Sequence, residues 1–252
     1  MIARALAFLF LAATPAHAED LVVLLSTQDV AITSTYTGAR VTVFGLIERD
    51  ATSISRSGKY DVVVTVAAPA MPLVVREKEQ TGPLWMNRTL QRYPDAPGFY
   101  AMLSTGPINT VANEAARERQ KMGIGHYLTR AHTPAGSEGR EADAAAALSR
   151  LRKKADLLVE DPRGVQMPRP NLFSAAIPLP ASAPTGRYVV GVTVLAEGVP
   201  LKTTSTSFVV RKTGSEALMA AFARDKAWLY GLLTAFSALF IGYVGNLMFR
   251  RD

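Results

Sequence analysis

The side chains best suited to chemistry are few in this chain and poorly spaced for it. Beyond residue 18 the histidines are His126 and His132, six apart, with none of the HxxxH, HxH or HExxH spacings that aim two imidazoles at one ion. Met71, Met86, Met102, Met122, Met167 and Met219 are scattered, which suits packing better than a thioether site for copper. Glu77 and Glu79 stand two apart in REKE and read as a solvated strand end, not as two carboxylates facing across a glycosidic bond. No GxSxG elbow and no phosphate-cradling GxGxxG or GxxxxGK[ST] occurs, and Gly123-Ile124-Gly125 lacks the strand-then-helix setting such a loop needs. There is no cysteine, which excludes thiol catalysis, thiolate metal sites, a lipoprotein anchor and disulfides. The expectation is a protein that is not an enzyme, with no cofactor and no metal.

The two ends of the chain are more informative. Residues 228–249, WLYGLLTAFSALFIGYVGNLMF, contain no Asp, Glu, Lys, Arg or His and are followed by Arg250 and Arg251. As a helix these residues extend about 33 Å, against a hydrocarbon core of about 30 Å, so a single transmembrane helix is expected over 228–249. Trp228 and Tyr230 suit the headgroup belt, and Arg250 and Arg251 suit the cytoplasmic side. Arg224 and Lys226, on the other side of the span, weaken that charge signal. At the N-terminus, Arg4, the apolar run ALAFLFLAA, Pro15 and Ala16-His17-Ala18 make a signal peptide over 1–18, cleaved before Glu19. As an uncleaved anchor the run 5–13 is too short. The expected layout is single-pass in a bacterial inner membrane, bulk in the periplasm, with residues 250–252 as a cytoplasmic tail.

The formal charge is +7, or +6 once Arg4 leaves with the signal. In an exported chain this excess decorates a soluble surface or favours anionic headgroups; nucleic acid is not an expected partner.

Between the ends the texture is β, then helical, then β. LVVLLS, Val41 and Val43, YDVVVTVAAP, PLVVRE and FYAMLST carry β-branched and aromatic residues between Gly and Pro breaks. From 108 to 160 an α-helical hairpin insertion is expected. Ile108, Val111, Ala115 and Met122 lie on its first helix, Ala144, Leu148, Leu151, Ala155 and Leu158 on its second, with a loop at 129–137 between them. Glu141 and Asp143 at the start of the second helix, and Arg152, Lys153 and Lys154 at its end, complement the backbone dipole.

Strands return at 172–180, in GRYVVGVTVLAEG (186–198) and at 203–210, with Glu197-Gly198 as a hairpin turn between the last two. These late strands need the earlier ones to cover their apolar face, so residues 19–213 are expected to form one mainly β, immunoglobulin-like β-sandwich. The corner PLPASAPTGRYVV fits that architecture, in which a Pro-rich corner precedes a Tyr-bearing strand. A juxtamembrane helix over 214–227, capped by Ser215 and carrying Leu218, Ala221 and Phe222 on one face, would run directly into the span.

TSTYTGARVTVFGLIE, YDVVVTVAAPAMPLVVREKEQTGPLWMN, PGFYAMLST, LPASAPTGRYVVGV and the final span, in that order, resemble the alphaproteobacterial transmembrane family Alph-Pro-TM. That family has no assigned activity. The resemblance covers nearly all of the mature chain; it implies a Gram-negative inner membrane and a periplasmic domain, and loosely an association with sulfite-exporter-type permeases.

The candidate interaction surface lies in 76–100, where Trp85, Arg88, Arg92 and Tyr93 combine aromatic and guanidinium groups, as interfaces favour. Trp85 also fits the buried indole of an immunoglobulin sandwich, and Arg88 and Arg92 fit a solvated face. In the span, Gly231 and Ala235, then Ala238 and Gly242, give small-xxx-small spacings suited to close helix packing. Two functional readings follow. One is a membrane-anchored, non-catalytic accessory or interaction protein that binds another envelope or membrane protein, such as a transporter. The other is a periplasmic small-ligand or metal-binding module. Oligomeric state is not readable from this sequence.

Overall fold

The computed structural model describes residues 19–33, 36–49, 59–128, 132–134, 139–214 and 222–249. The expected signal peptide over 1–18, Ser215, Leu218, Ala221, Arg250, Arg251 and most of the expected 129–137 loop lie outside them.

Strong β propensity and alternating burial produce a mainly β fold of two facing sheets. The first has the order β1-β3-β10-β9, all antiparallel, from β1 (Glu19–Leu25), β3 (Gly38–Arg49), β10 (Leu172–Pro180) and β9 (Val165–Arg169). The second has the order β2-β12-β11-β4-β7-β8, from β2 (Asp29–Ile32), β12 (Val199–Lys212), β11 (Gly186–Ala196), β4 (Asp61–Ala67), β7 (Tyr100–Ser104) and β8 (Leu158–Asp161). Its outer pairs, β2 with β12 and β7 with β8, are parallel. In immunoglobulin terms the first sheet runs A-B-E-D, and the second holds G-F-C with strands added at both sides.

Between the sheets lies a dry layer in which Val41, Val43, Val62, Val64, Val190 and Val192 are completely buried. Aromatic rings close one end of it. Tyr188 stacks on Phe208 with ring centroids 5.0 Å apart and meets Phe99 at 5.9 Å. The Tyr188 hydroxyl donates 2.7 Å to the carbonyl of Pro184, four residues upstream. This is the tyrosine corner of immunoglobulin-like sandwiches, and the expected Pro-rich approach leads into it. Burial pushes the Tyr188 phenol well above its usual pKa, with Tyr36 nearby adding to the effect. The opposite strand pair depends on close approach: Phe173 lies across Gly45, its register partner, and an added Cβ would overlap the ring.

Two turns follow directly from their residues. Glu197 and Gly198, with φ of +52° and +81°, form the tight β11–β12 turn that two positive-φ residues favour. Gly82, at φ +64°, starts the two-residue loop joining β5 (Ala70–Thr81) to β6 (Leu84–Pro97).

The insertion differs from the expected helical hairpin. Its first half is three short helices, α1 (Ile108–Val111), α2 (Glu114–Arg119) and α3 (Gly125–Leu128). Asn113 ends the first run by capping the second, its side chain accepting from the Ala116 N–H at 2.8 Å. Val111, Ala116 and Met122 bury against Tyr100, Met102 and Leu195 on the outer face of the second sheet, whereas Ala115 is exposed. The second half is one helix, α4 (Glu141–Lys154), with the acidic start and basic end read from the sequence. Ala144 and Leu148 are buried as expected. Leu151 and Ala155 are exposed, because Asp156 turns the chain at φ +55° and Leu158 belongs to β8. The PLVVRE strand also departs from expectation: it lies in β5, which pairs with β6 alone as a separate two-stranded ribbon.

The last helix, α5 (Ala227–Phe249), is long and apolar enough to cross a membrane over Ala227–Asn246, and none of that stretch is buried against the rest of the described chain. The aliphatic hydroxyls bond within the helix, Thr234 to the carbonyls of Tyr230 and Gly231 and Ser237 to that of Leu233, which satisfies their donors without water. Backbone bonds from Lys226 to Phe222 and from Tyr230 to Lys226 carry helical geometry into α5 from residue 222.

Two substitutions test this frame. Gly45→Ala forces Phe173 out of its place and should cost about 1–3 kcal/mol in urea unfolding of the full chain in detergent. Tyr188→Phe removes one hydrogen bond and should cost about 1 kcal/mol at neutral pH. A phenol whose native pKa is raised contributes stability that is complete below the unfolded value of about 10 and is lost as pH rises towards the native value. Tyr188→Phe should therefore shrink the alkaline loss of stability without abolishing it, because burial also raises Tyr36 and Tyr93.

Candidate functional site

The β5–β6 ribbon and the helices beside it form a third cluster, separate from the sandwich layer and from the outer face of the second sheet. On the root half of the ribbon, Val75, Leu90, Tyr93 and Ala96 bury against Ala144 and Leu148 of α4, with Leu73 and Leu128 at the margin. Arg152 fastens the far end of α4 by donating from Nη2 to the carbonyl of Pro97 at 2.9 Å and to that of Gly98. Burial lowers the Arg152 pKa, and these carbonyls take the place of its lost water. At the other end of α4, Arg140 pairs with Glu77. Helix α4 thus braces the ribbon from its root to residue 77.

Beyond that brace the ribbon is bare. Residues 76–80 and 82–87 are exposed on both faces, and three consecutive large apolar side chains sit just past the turn: Leu84 at 65% exposure, Trp85 at 68% and Met86 at 55%. Trp85 is therefore not the core indole of the sandwich. It faces solvent at the ribbon tip, opposite Gln80. Arg88 lies three residues behind it and pairs with Glu79 at 3.0 Å, an exposed contact that orders the strand more than it stabilises it. Arg92 is exposed near the root, where its backbone exchanges two hydrogen bonds with His132 at 2.9 and 2.7 Å.

Tyr93 corrects the expected surface. At 2% exposure it is part of the packing between ribbon and α4, because its strand face is the one the helix covers. The candidate surface thus reduces to Trp85 and Arg88, with Arg92 farther down, and gains Leu84 and Met86. The signal for these two was the LWM triplet after Gly82-Pro83, a run of consecutive apolar residues on a strand with no face left polar.

The root of the ribbon sits where the chain leaves for the membrane. Ala67, at the end of β4, pairs with both Tyr100 and Val189, while Gly186 pairs with Val210 near the end of β12. Gly98 donates to the carbonyl of Pro69 at 3.0 Å and lies against Pro184 of the tyrosine corner. One end of the sandwich therefore carries both the ribbon and the exit of β12 towards α5. On α5 every side chain named for the anchor, from Trp228 and Tyr230 to Gly242, is exposed. Gly231, Ala235, Ala238 and Gly242 follow at offsets of 0, 4, 7 and 11, which places them within an arc of about 60° on one face of the helix.

Among the described residues, no three His, Asp or Glu side chains come together. A cleft of about 190 Å³ contains Ser104, Glu160 and Asp161, but the Ser104 hydroxyl donates to the Gly106 carbonyl at 2.7 Å and Glu160 pairs with Lys153 at 2.7 Å. A wider cleft of about 540 Å³ at Leu46, Glu48, Pro170 and Asn171 opens at the far end of the first sheet.

Replacing Arg152 should separate the brace from the rest. Arg152→Met is expected to cost about 2 kcal/mol. In hydrogen–deuterium exchange, amides of β5, β6 and α4 should exchange faster while those of β11 and β12 keep their protection.

Comparison with curated proteins finds none that matches the chain. A family model does match, over residues 20–251, which takes in the sandwich, the ribbon, the helices and the apolar C-terminal helix together. The chain belongs to the family described as "Putative transmembrane protein (Alph_Pro_TM)".

Proposed function

We propose that the chain is a non-catalytic accessory module of the bacterial inner membrane, held by α5 with its sandwich in the periplasm, that binds and steadies another membrane protein. A transporter of the sulfite-exporter type is the preferred partner. The observation that carries this reading is the ribbon, braced at its root by α4, which carries Arg92, Arg88 and Trp85 outward from the end of the sandwich where β12 leaves for the anchor. The exposed large and cationic side chains are carried outward from the sandwich on this support, as a surface for another protein requires. The small-residue face of α5 offers the same partner a close approach inside the bilayer.

Photo-crosslinkers placed at Arg88, Arg92 and Gly242 in native membranes should each capture the same membrane protein. Gly242→Leu should weaken co-purification by about 1 kcal/mol, roughly fivefold. Capture of no reproducible partner, with unchanged permease behaviour in a deletion strain, would overturn the proposal. Alkaline phosphatase fused after Lys212 should be active and a fluorescent cytosolic reporter at the same place dark; the reverse would reject the periplasmic placement.

A further inference from the structure

We infer that the ribbon tip, Leu84-Trp85-Met86, enters the headgroup–acyl boundary of the same membrane that holds α5, so that the domain meets the bilayer at two points. This goes beyond the accessory reading and requires only the span.

Four observations carry it. A two-stranded ribbon is at best marginally stable in water on its own, and the outer half of this one is exposed on both faces, so a surrounding medium must complete it. The apolar residues are consecutive, which on a strand sends Leu84 and Met86 to one face and Trp85 to the other. A protein groove or an added strand covers one face or one edge of such a ribbon; lipid surrounds both faces at once. Glu79, level with Met86 and paired with Arg88, and behind it Lys78, Glu77 and Arg76 form a charged collar that stays hydrated and limits depth, as flanking charges do for interfacial segments. Trp85 is the residue type that membrane interfaces favour.

The fourth observation is reach. Ribbon and tether leave the same end of the sandwich. The 12 residues of β5 extend about 40 Å at strand rise. From Lys212 to Trp228 the chain covers about 24 Å as helix and about 53 Å fully extended. The ribbon length falls inside that interval, so the tip and Trp228 reach one plane without strain.

The test uses the full chain reconstituted in vesicles of phosphatidylethanolamine and phosphatidylglycerol. The chain has two tryptophans, so Trp228→Phe leaves Trp85 as the single indole. Its emission should shift to the blue, resist aqueous iodide, and be largely lost when the acyl chains are brominated near the headgroup. Adding Leu84→Ser and Met86→Ser should restore iodide access and remove the effect of bromination. An indole open to iodide and indifferent to brominated lipid overturns the inference. So does one shielded from iodide yet unaffected by bromination, the result expected where a second copy or a protein partner covers the tip. Because the chain has no cysteine, a nitroxide attached through Met86→Cys reads the same depth independently in a chain that keeps Trp228. Greater collision with oxygen than with an aqueous nickel chelate supports insertion; the opposite ratio rejects it. Purified protein contains no transporter, so this result is separate from that of the crosslinking experiment.

Discussion

With no cysteine to cross-link it, the domain depends on the dry layer between its two sheets. That layer is made largely of small β-branched side chains packed from both faces, with Tyr188, Phe208 and Phe99 grouped at one end and Tyr60 and Phe173 nearer the other. β-Branched residues lose little rotamer freedom in strands and fill a flat interlayer evenly, so many modest contacts replace a few covalent ones. The Tyr188 corner marks where this layer stops and the outgrowths begin. Pro184 accepts the phenol on one side and lies against Gly98 at the ribbon root on the other. Sandwich and projection therefore share a wall.

The projection has its own small core. Tyr93 and Leu90 would be exposed on an isolated ribbon; α4 covers them with Ala144 and Leu148. The small residue at position 144 brings the helix close, and Arg152 holds it by carbonyl contacts that water would otherwise make. Stability ends where the helix ends. The part left uncovered is also the part with the large apolar side chains, an arrangement that costs the free monomer some solubility and suits a chain meant to work beside a membrane.

The architecture was legible wherever local signals and burial agreed. Strands β4, β10, β11 and β12, the Glu197-Gly198 turn, the tyrosine corner, the charge pattern of α4 and the membrane helix all follow from residue types at known spacing. The failures have physical causes. Residues 108–122 carry a helical pattern, yet Asn113 gains more as a cap than as an interior helix residue, so one helix became several. Leu158 continues the stripe of α4 in sequence but pairs beside Tyr100, since sheet pairing offers it fuller burial than another helical turn. Tyr93, expected beside Trp85 at the surface, is buried, and Trp85 fitted both core and surface, because composition cannot tell which half of a ribbon a distant helix will cover. That depends on α4, separated from Tyr93 by nearly fifty residues.

The position of β12 has a mechanical consequence. It is the last strand before the tether, bonded to β11 along its length and flanked on its other side by β2 over Val209–Lys212, where the chain leaves. A load drawn along β12 from that end must slide the strand against two neighbours and shear many hydrogen bonds together. Were β12 an edge strand pulled sideways, the same load would peel those bonds one at a time. The domain is thus fastened to its anchor like a lap joint, able to bear tension from a fluctuating bilayer or a moving partner without first losing its own fold.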